Sequence, residues 1–151
     1  MNRLIPTVLA LSCALAFTAC NKQETPQETQ KDVAEAQADA ASDMKDAASD
    51  AAATAAEGQQ DVQEAASAAG AKPADVAEVG RDAVEDDADA AYKLAITKAE
   101  GDRKVAKERC DGLPAADQKG CNASADSDYD AAKQMATEEH DAAKANPPEK
   151  K

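Results

Sequence analysis

The scarcity of large apolar side chains constrains the fold of this 151-residue chain most. The 132 residues from Cys20 onward contain 36 alanines but only 13 large apolar residues of any type. Alanine favours helix at little entropic cost, yet it buries little area. A conventional core needs many side chains that each contribute about 1.5–3 kcal/mol. We therefore expect an all-α chain of extended alanine-rich helices and small hairpins rather than a globule around a large core.

Residues 1–19 are typical of a secretory signal peptide. Arg3 supplies one positive charge, and an uncharged, mostly apolar run follows it. That run is shorter than the about 20 residues that a membrane-spanning helix needs. The tetrapeptide Phe-Thr-Ala-Cys that ends at Cys20 resembles the lipobox of bacterial lipoproteins, with phenylalanine in place of the usual leucine. The resemblance implies cleavage before Cys20 and lipidation of its sulfur. The alternatives are an uncleaved anchor, or ordinary cleavage that leaves Cys20 free.

The residue after Cys20 bears on the destination of such a lipoprotein. It is Asn21, whereas an aspartate at this position retains enteric lipoproteins in the inner membrane. The resemblance therefore implies a lipid-anchored protein on the periplasmic side of the outer membrane of a Gram-negative bacterium. The expected partners are the bilayer, through acylated Cys20, and an unidentified envelope protein or cell-wall component. Acyl chains contribute about 0.8 kcal/mol per buried CH₂, so they can hold the protein there unaided.

The charge of the chain limits its other partners. From Cys20 onward there are 30 acidic and 16 basic residues, which gives a net charge of −14. Nucleic acids and anionic lipid headgroups are repelled by such a surface, so we expect neither as a partner.

Cys110 and Cys121 are the two cysteines that remain beyond the signal and the lipobox. In an oxidising compartment they predict one intramolecular disulfide. The ten residues between them exclude a CxxC redox or metal motif. Free thiols or an intermolecular bond are the alternatives.

The rest of the chain divides by its composition. Residues 20–31 are polar and predict a flexible tether, and residues 147–151 form a tail. Residues 32–72 predict marginal helices that Gly58 interrupts; they carry a thin seam of alanines at 4-3-4 spacing, which would alternatively suit a coiled coil with a partner. Their composition is similar to that of late-embryogenesis-abundant proteins. Residues 73–146 predict a helical hairpin closed by the disulfide.

The hairpin has a predicted register in which the numbers of opposed residues add up to about 231. Ala106 then meets Ala125 and Ala99 meets Ala132. The basic residues 93–109 of the first helix lie along an acidic second helix. Further opposed pairs on the same register are Ile96 with Met135, Arg103 with Asp128, and Lys93 with Glu138.

The chain carries little that predicts chemistry. His140 is the only histidine, so it lacks the second nitrogen or sulfur ligand of a typical zinc site, and a solvated surface position is expected. Residues 126–137 begin like a calcium loop but lack its glycine and its final glutamate. The terminal Lys151 is shared with the murein-linked lipoprotein, although the preceding residues differ. We expect no catalytic residues, no metal site and no cofactor.

These observations predict a non-enzymatic lipoprotein with a structural or interaction role in the envelope. Residues 92–133 resemble alanine-rich, uncharacterised proteobacterial envelope proteins, which imply no activity. The alternative is a stress-protective, hydrophilin-like chain that shields other molecules while mostly disordered.

Overall fold

A computed structural model describes residues 24–145 as three long α-helices joined by short turns. Helix α1 spans Pro26–Ser67, α2 spans Pro73–Asp111 and α3 spans Ala115–Ala145. No strand occurs in this part of the chain, so the predicted all-α fold class is confirmed. The signal peptide, Cys20 and the tail at residues 147–151 lie outside the described residues.

A capping box fixes the start of α1. The Thr25 side chain accepts a hydrogen bond from the Glu28 amide, and the Glu28 carboxylate accepts one from the Thr25 amide, 2.9 Å away. Pro26 occupies the first turn, where its missing N–H costs nothing. The prediction of a flexible tether over residues 20–31 is therefore wrong from Pro26 onward, because this polar stretch carries the helix start signal. Residues 20–23 lie outside the described range.

Helix α2 lies between the other two helices, and α1 and α3 do not contact each other within residues 24–145. Gly101 of α2 faces Ala40 of α1. Ala99 and Arg103, two positions to either side, line a groove with Ala125 of α3. Residues two positions apart point about 200° apart around the axis of an α-helix, so Gly101 and the groove residues lie on opposite sides of α2. The three helices therefore form a flat antiparallel layer, with α1 and α3 on opposite sides of α2, rather than a closed bundle.

The buried side chains of the layer recur every eleven residues along each helix. Eleven residues complete three turns of about 3.67 residues, so such a repeat keeps one face toward the partner and favours straight or slightly right-handed packing. Alanine dominates at these positions, which lets the helices approach closely. The buried residues are Ala36 and Ala47 on α1, Ala88, Ala99 and Cys110 on α2, and Ala125 and Ala136 on α3.

Two glycines lie where α1 and α2 come closest. A Cβ atom at Gly101 would lie 2.8 Å from the Cβ of Ala40, and one at Gly58 would lie 2.9 Å from the Cβ of Ala83. Helix α1 runs unbroken through Gly58, so the expected interruption there is wrong. Residues 32–67, predicted as marginal helices, form part of this one continuous helix. The alanine seam does have a partner helix, and that partner is α2 of the same chain.

Substitution of Gly101 should separate close packing from helix propensity. Gly101→Ala should destabilise the fold, because a clash of this kind typically costs about 1–3 kcal/mol while the propensity gain is about 1 kcal/mol. Gly80→Ala is the matched control on the same helix, because no atom lies within 4 Å of a Cβ there. It should stabilise the protein by about 0.4–1 kcal/mol. Urea unfolding of the chain from residue 20 onward, followed by circular dichroism, measures both; equal stabilisation by the two variants would contradict the close approach.

Candidate functional site

The two cysteines of the hairpin lie on either side of the turn between α2 and α3, Cys110 in the last turn of α2 and Cys121 near the start of α3. Cys110 is 1% exposed and is bonded to Cys121, with 5.5 Å between their Cα atoms. The side-chain amide of Gln118 donates to the carbonyl oxygens of Asp111 and Leu113, at 2.9 and 3.0 Å. These carbonyl oxygens lie at the C-terminal end of α2, where no further backbone N–H groups of the helix are present to bond to them. The predicted disulfide and the hairpin it closes are confirmed.

The start of α1 lies at the same end of the layer as the disulfide. A Cβ atom at Gly112, in the turn after α2, would lie 2.6 Å from the methyl group of Thr29. The first turn of α1 therefore packs on the α2–α3 turn. The 42 residues of α1 extend about 60 Å from there. The α1–α2 turn consequently lies at the far end, while the 31-residue α3 runs in the same direction as α1 and ends at Ala145 before reaching that end.

Asp126 connects α3 to the basic half of α2. Its carboxylate accepts hydrogen bonds from Lys107 at 2.8 Å and from Arg103 at 2.6 Å. These two hydrogen bonds hold the pKa of Asp126 below its usual value, and the bond from Lys107 has the larger effect. The Arg103 guanidinium also lies 5.0 Å from the centre of the Tyr129 ring. Arg103 and Asp128 line the same groove, but they form no ion pair in the described structure, because the guanidinium binds Asp126 instead.

The register of the hairpin is nevertheless the predicted one. Cys110 lies opposite Cys121, and Tyr92 lies opposite His140. The alanines expected to meet, at positions 99, 106, 125 and 132, line one groove between α2 and α3. Met135, which was predicted to meet Ile96, is 59% exposed.

Two lysines of α2 bind α1 instead of α3. The ammonium group of Lys93 lies 2.9 Å from Asp50, and that of Lys104 lies 2.7 Å from Asp39. The hydrogen bond to Asp39 raises the pKa of Lys104. The predicted pairing of Lys93 with Glu138 is therefore wrong. This prediction assumed that only α3 packs against α2, and it did not include the packing of α1 on α2.

Every acidic residue of α1 lies on one side of the helix. The ten carboxylates recur at intervals of three, four or seven residues, so they share one stripe. We call this the acidic stripe. Part of it borders a groove with Lys93 and Lys104 of α2. Its members are Glu28, Asp32, Glu35, Asp39, Asp43, Asp46, Asp50, Glu57, Asp61 and Glu64.

The opposite side of the layer differs sharply in charge along α1. There Gln37, Ala41 and Met44 line an open groove with Val105 and Ala106 of α2. The adjoining groove between α2 and α3 shares Ala106 and contains Tyr129. We call these two grooves the small-residue face, although charged residues of α2 and α3 also line them, namely Lys98, Asp102, Arg103, Arg109 and Asp128. The segregation of charge along α1 is present in the sequence, but the prediction of a marginal helix did not use it.

His140 is held rather than simply solvated, in contrast to the sequence prediction. Its Nε2 atom lies 2.6 Å from an Asp89 oxygen and its Nδ1 atom 3.2 Å from an Asp141 oxygen. The ring centres of His140 and Tyr92 are 5.2 Å apart. The hydrogen bond with Asp89, and then that with Asp141, raise the pKa of His140 against the effect of burial.

Within residues 24–145 no group of three or more His, Cys, Asp or Glu side chains is arranged to hold a metal ion. Residues 126–137, which imitate a calcium loop in sequence, lie inside α3. None of the described helices has an apolar stretch of the length required to cross a bilayer. Cys20 and Lys151 lie outside the described range.

Comparison with known proteins adds no relative to this description. No protein-family model, no curated protein and no solved structure matches the chain.

Removal of the disulfide should loosen the hairpin. The bond spans a sequence separation of 11 and should contribute about 3 kcal/mol in the chain-entropy model. Cys110→Ser should lower the free energy of unfolding by about that amount and expose α3 to proteases before α1. Chemical reduction of the unaltered protein should do the same, and it should leave the variant unaffected. Helicity and protease resistance that survive in the variant would refute the prediction.

Asp126 and Asp128 provide a matched pair for the charged contacts between α2 and α3. Asp126→Asn removes the acceptor shared by two cations, whereas Asp128→Asn removes a carboxylate without an ion pair in the described structure. The first variant should therefore be the less stable in low salt, by about 1 kcal/mol or less for such exposed pairs. Because the pKa of Asp126 is lowered below 3.8, the difference should be present near neutral pH and should be lost only as the pH falls through this lowered pKa. A larger loss in the Asp128 variant would restore the pairing predicted from sequence.

Proposed function

We propose that this chain is a non-catalytic lipoprotein of the outer membrane, anchored through acylated Cys20, with a structural or interaction role in the periplasm of a Gram-negative bacterium. The observation that carries the proposal is the flat layer that follows the lipobox-like segment. It has two unlike exposed sides, the acidic stripe and the small-residue face, and its described grooves are open.

The start of α1 sets the position of this layer relative to the lipid. Only five residues separate Cys20 from Pro26, and even fully extended they reach about 17 Å. With lipid on Cys20, the layer begins next to the bilayer. The disulfide end is the near end, and the α1–α2 turn can reach about 60 Å into the periplasm, whereas the shorter α3 ends at Ala145 after about 45 Å.

The two sides of the layer support an interaction role. The acidic stripe repeats over almost all of α1, and of its ten members only Asp39 and Asp50 form ion pairs in the described structure. Such a stripe repels the anionic headgroups below it and attracts cationic groups. A helix that is solvated on all sides gains nothing from keeping its acidic residues apart from its small residues.

The grooves also favour a non-catalytic role. A substrate pocket typically encloses its ligand between apolar and aromatic walls. Tyr92 and Tyr129 are the only aromatic residues from Cys20 onward apart from His140, and they pack against His140 and Arg103 respectively. They leave no aromatic wall for a substrate.

The anchor is tested by the intact mass of the protein extracted from membranes, with and without reduction and thiol alkylation. We expect the mass of the chain from Cys20 plus acyl groups, with two thiols that react only after reduction. Cys20→Ser should abolish both the acyl mass and the membrane association, while Cys13→Ser should change neither. A full-length mass, or a cleaved chain without lipid, would contradict the anchor.

The role of the layer is tested by circular dichroism of the soluble chain from residue 20 onward with Cys20→Ser. A helical spectrum in dilute buffer with a cooperative melt supports a preformed interaction surface. Helix that develops only on drying or with co-solvent would contradict it and favour the stress-protective alternative.

A further inference from the structure

The far end of the α2–α3 interface is joined by a cluster of charged side chains around the only histidine of the chain. His140 and Lys144 extend from α3, and Asp89, Glu85 and Tyr92 extend from α2. Lys144 lies 2.8 Å from Glu85 and 3.0 Å from Asp89. The His140 side chain is only 20% exposed. We call this group the histidine clasp.

Both ring nitrogens of His140 face a carboxylate oxygen. Asp89 lies against Nε2 at 2.6 Å and Asp141 lies against Nδ1 at 3.2 Å. A neutral imidazole has a single N–H donor, whereas an imidazolium has two. The neutral ring therefore leaves one carboxylate opposite a nitrogen lone pair. Only the charged ring satisfies both contacts.

The clasp is also the last polar attachment of α3 to α2. The disulfide closes the hairpin at Cys121, about 28 Å away along α3. Beyond Ala136 the only half-buried residues of α3 in the described structure are His140 of the clasp and Ala143. Opening at this end thus needs no change at the disulfide.

We propose that the histidine clasp is a pH-sensitive latch, which holds residues 137–145 of α3 on α2 while His140 is protonated and releases them as His140 loses its proton. The covalently closed end of the hairpin and the α1–α2 interface stay in place. The latch does not depend on lipidation or on the envelope role proposed above.

The direction of the pH dependence follows from the charged groups that face His140. Asp89 and Asp141 favour its charged form, while Lys144 and partial burial oppose it; Asp89 dominates, and the pKa is raised above 6.5. A raised pKa means that the stabilisation is complete below the ordinary value and is lost as the pH rises through the folded value. The pKa of Asp89 is lowered, first by the bond with His140 and then by that with Lys144, so Asp89 stays ionised down to below its ordinary 3.8. The latch is therefore closed in mildly acidic solution and opens above it.

Proton NMR tests the latch directly, because one histidine gives one titrating ring signal. The experiment uses the chain from residue 20 onward with Cys20→Ser. We expect His140 to titrate above 6.5, and Asp89→Asn to return its titration toward 6.5. Asp50→Asn, which removes a lysine contact on α1, should leave it unchanged.

Amide exchange gives the second readout. After correction for the intrinsic exchange rate, protection of residues 137–145 should fall between about pH 5.5 and about pH 8.5. The fall should equal the ratio of the acid-dissociation constants of His140 in the open and closed states, which the titration measures independently. In His140→Gln, protection should be low and should not change with pH. A His140 that titrates at or below 6.5, or protection that is equal at both pH values in the unaltered chain, would overturn the proposal.

Discussion

The close approach of small side chains on two opposite faces of α2 is the constraint on which this structure depends. Alanine removes little area from water, so single contacts stabilise weakly. It does let helix backbones come near each other, and many small dispersion contacts then add up along the full length of α2. Where even alanine is too large, as at Gly58 and Gly101, the chain has glycine. A chain with only 13 large apolar residues from Cys20 onward can fold in this way because the small-residue contacts extend along the full length of the helices.

Charge complements this packing and decides which helices meet. The basic second half of α2 lies between acidic helices on both sides, with Lys93 and Lys104 bound to α1 and Arg103 and Lys107 bound to α3. Exposed pairs of this kind are worth about 0–1 kcal/mol each, so they select the arrangement more than they stabilise it. The remaining carboxylates of α1 stay on one exposed side. Helix α1 thereby keeps its acidic residues on one side of the layer, while α2 and α3 place charged residues along the grooves of the other side as well.

The C-terminal hairpin could be predicted from sequence because its constraints are local. Two cysteines, a turn and complementary charges agree on one register, and the structure has that register. The individual ion pairs were harder to predict, because a long arginine side chain reaches Asp126 as easily as Asp128. Side-chain direction within the helix decides between them. His140 was assigned to solvent because Asp89, its partner, is 51 residues away in sequence.

The packing of α1 could not be recognised with the same certainty. A seam of alanines looks alike in a solvated helix and in a tightly packed one, since the signal of burial in large side chains is missing. Gly58 looked like a break for the same reason, although it marks the closest approach to Ala83. The eleven-residue spacing was present in the sequence, but it becomes meaningful only when the buried positions of all three helices are compared. The helix start at Thr25 was obscured by the polar composition of its first turn.

The arrangement of α1 and α3 on opposite sides of α2 is the central claim, and a distance between them tests it most directly. Ala41 and Ala131 are both exposed and lie at the same height of the layer. Spin labels on Ala41→Cys and Ala131→Cys, with the native disulfide intact, report the separation by electron paramagnetic resonance. The flat layer predicts helix axes two spacings apart, about 16–20 Å, and label distances to match. In a closed three-helix bundle the axes of α1 and α3 would lie about 8–10 Å apart. Label distances that correspond to this axis separation would contradict the flat layer.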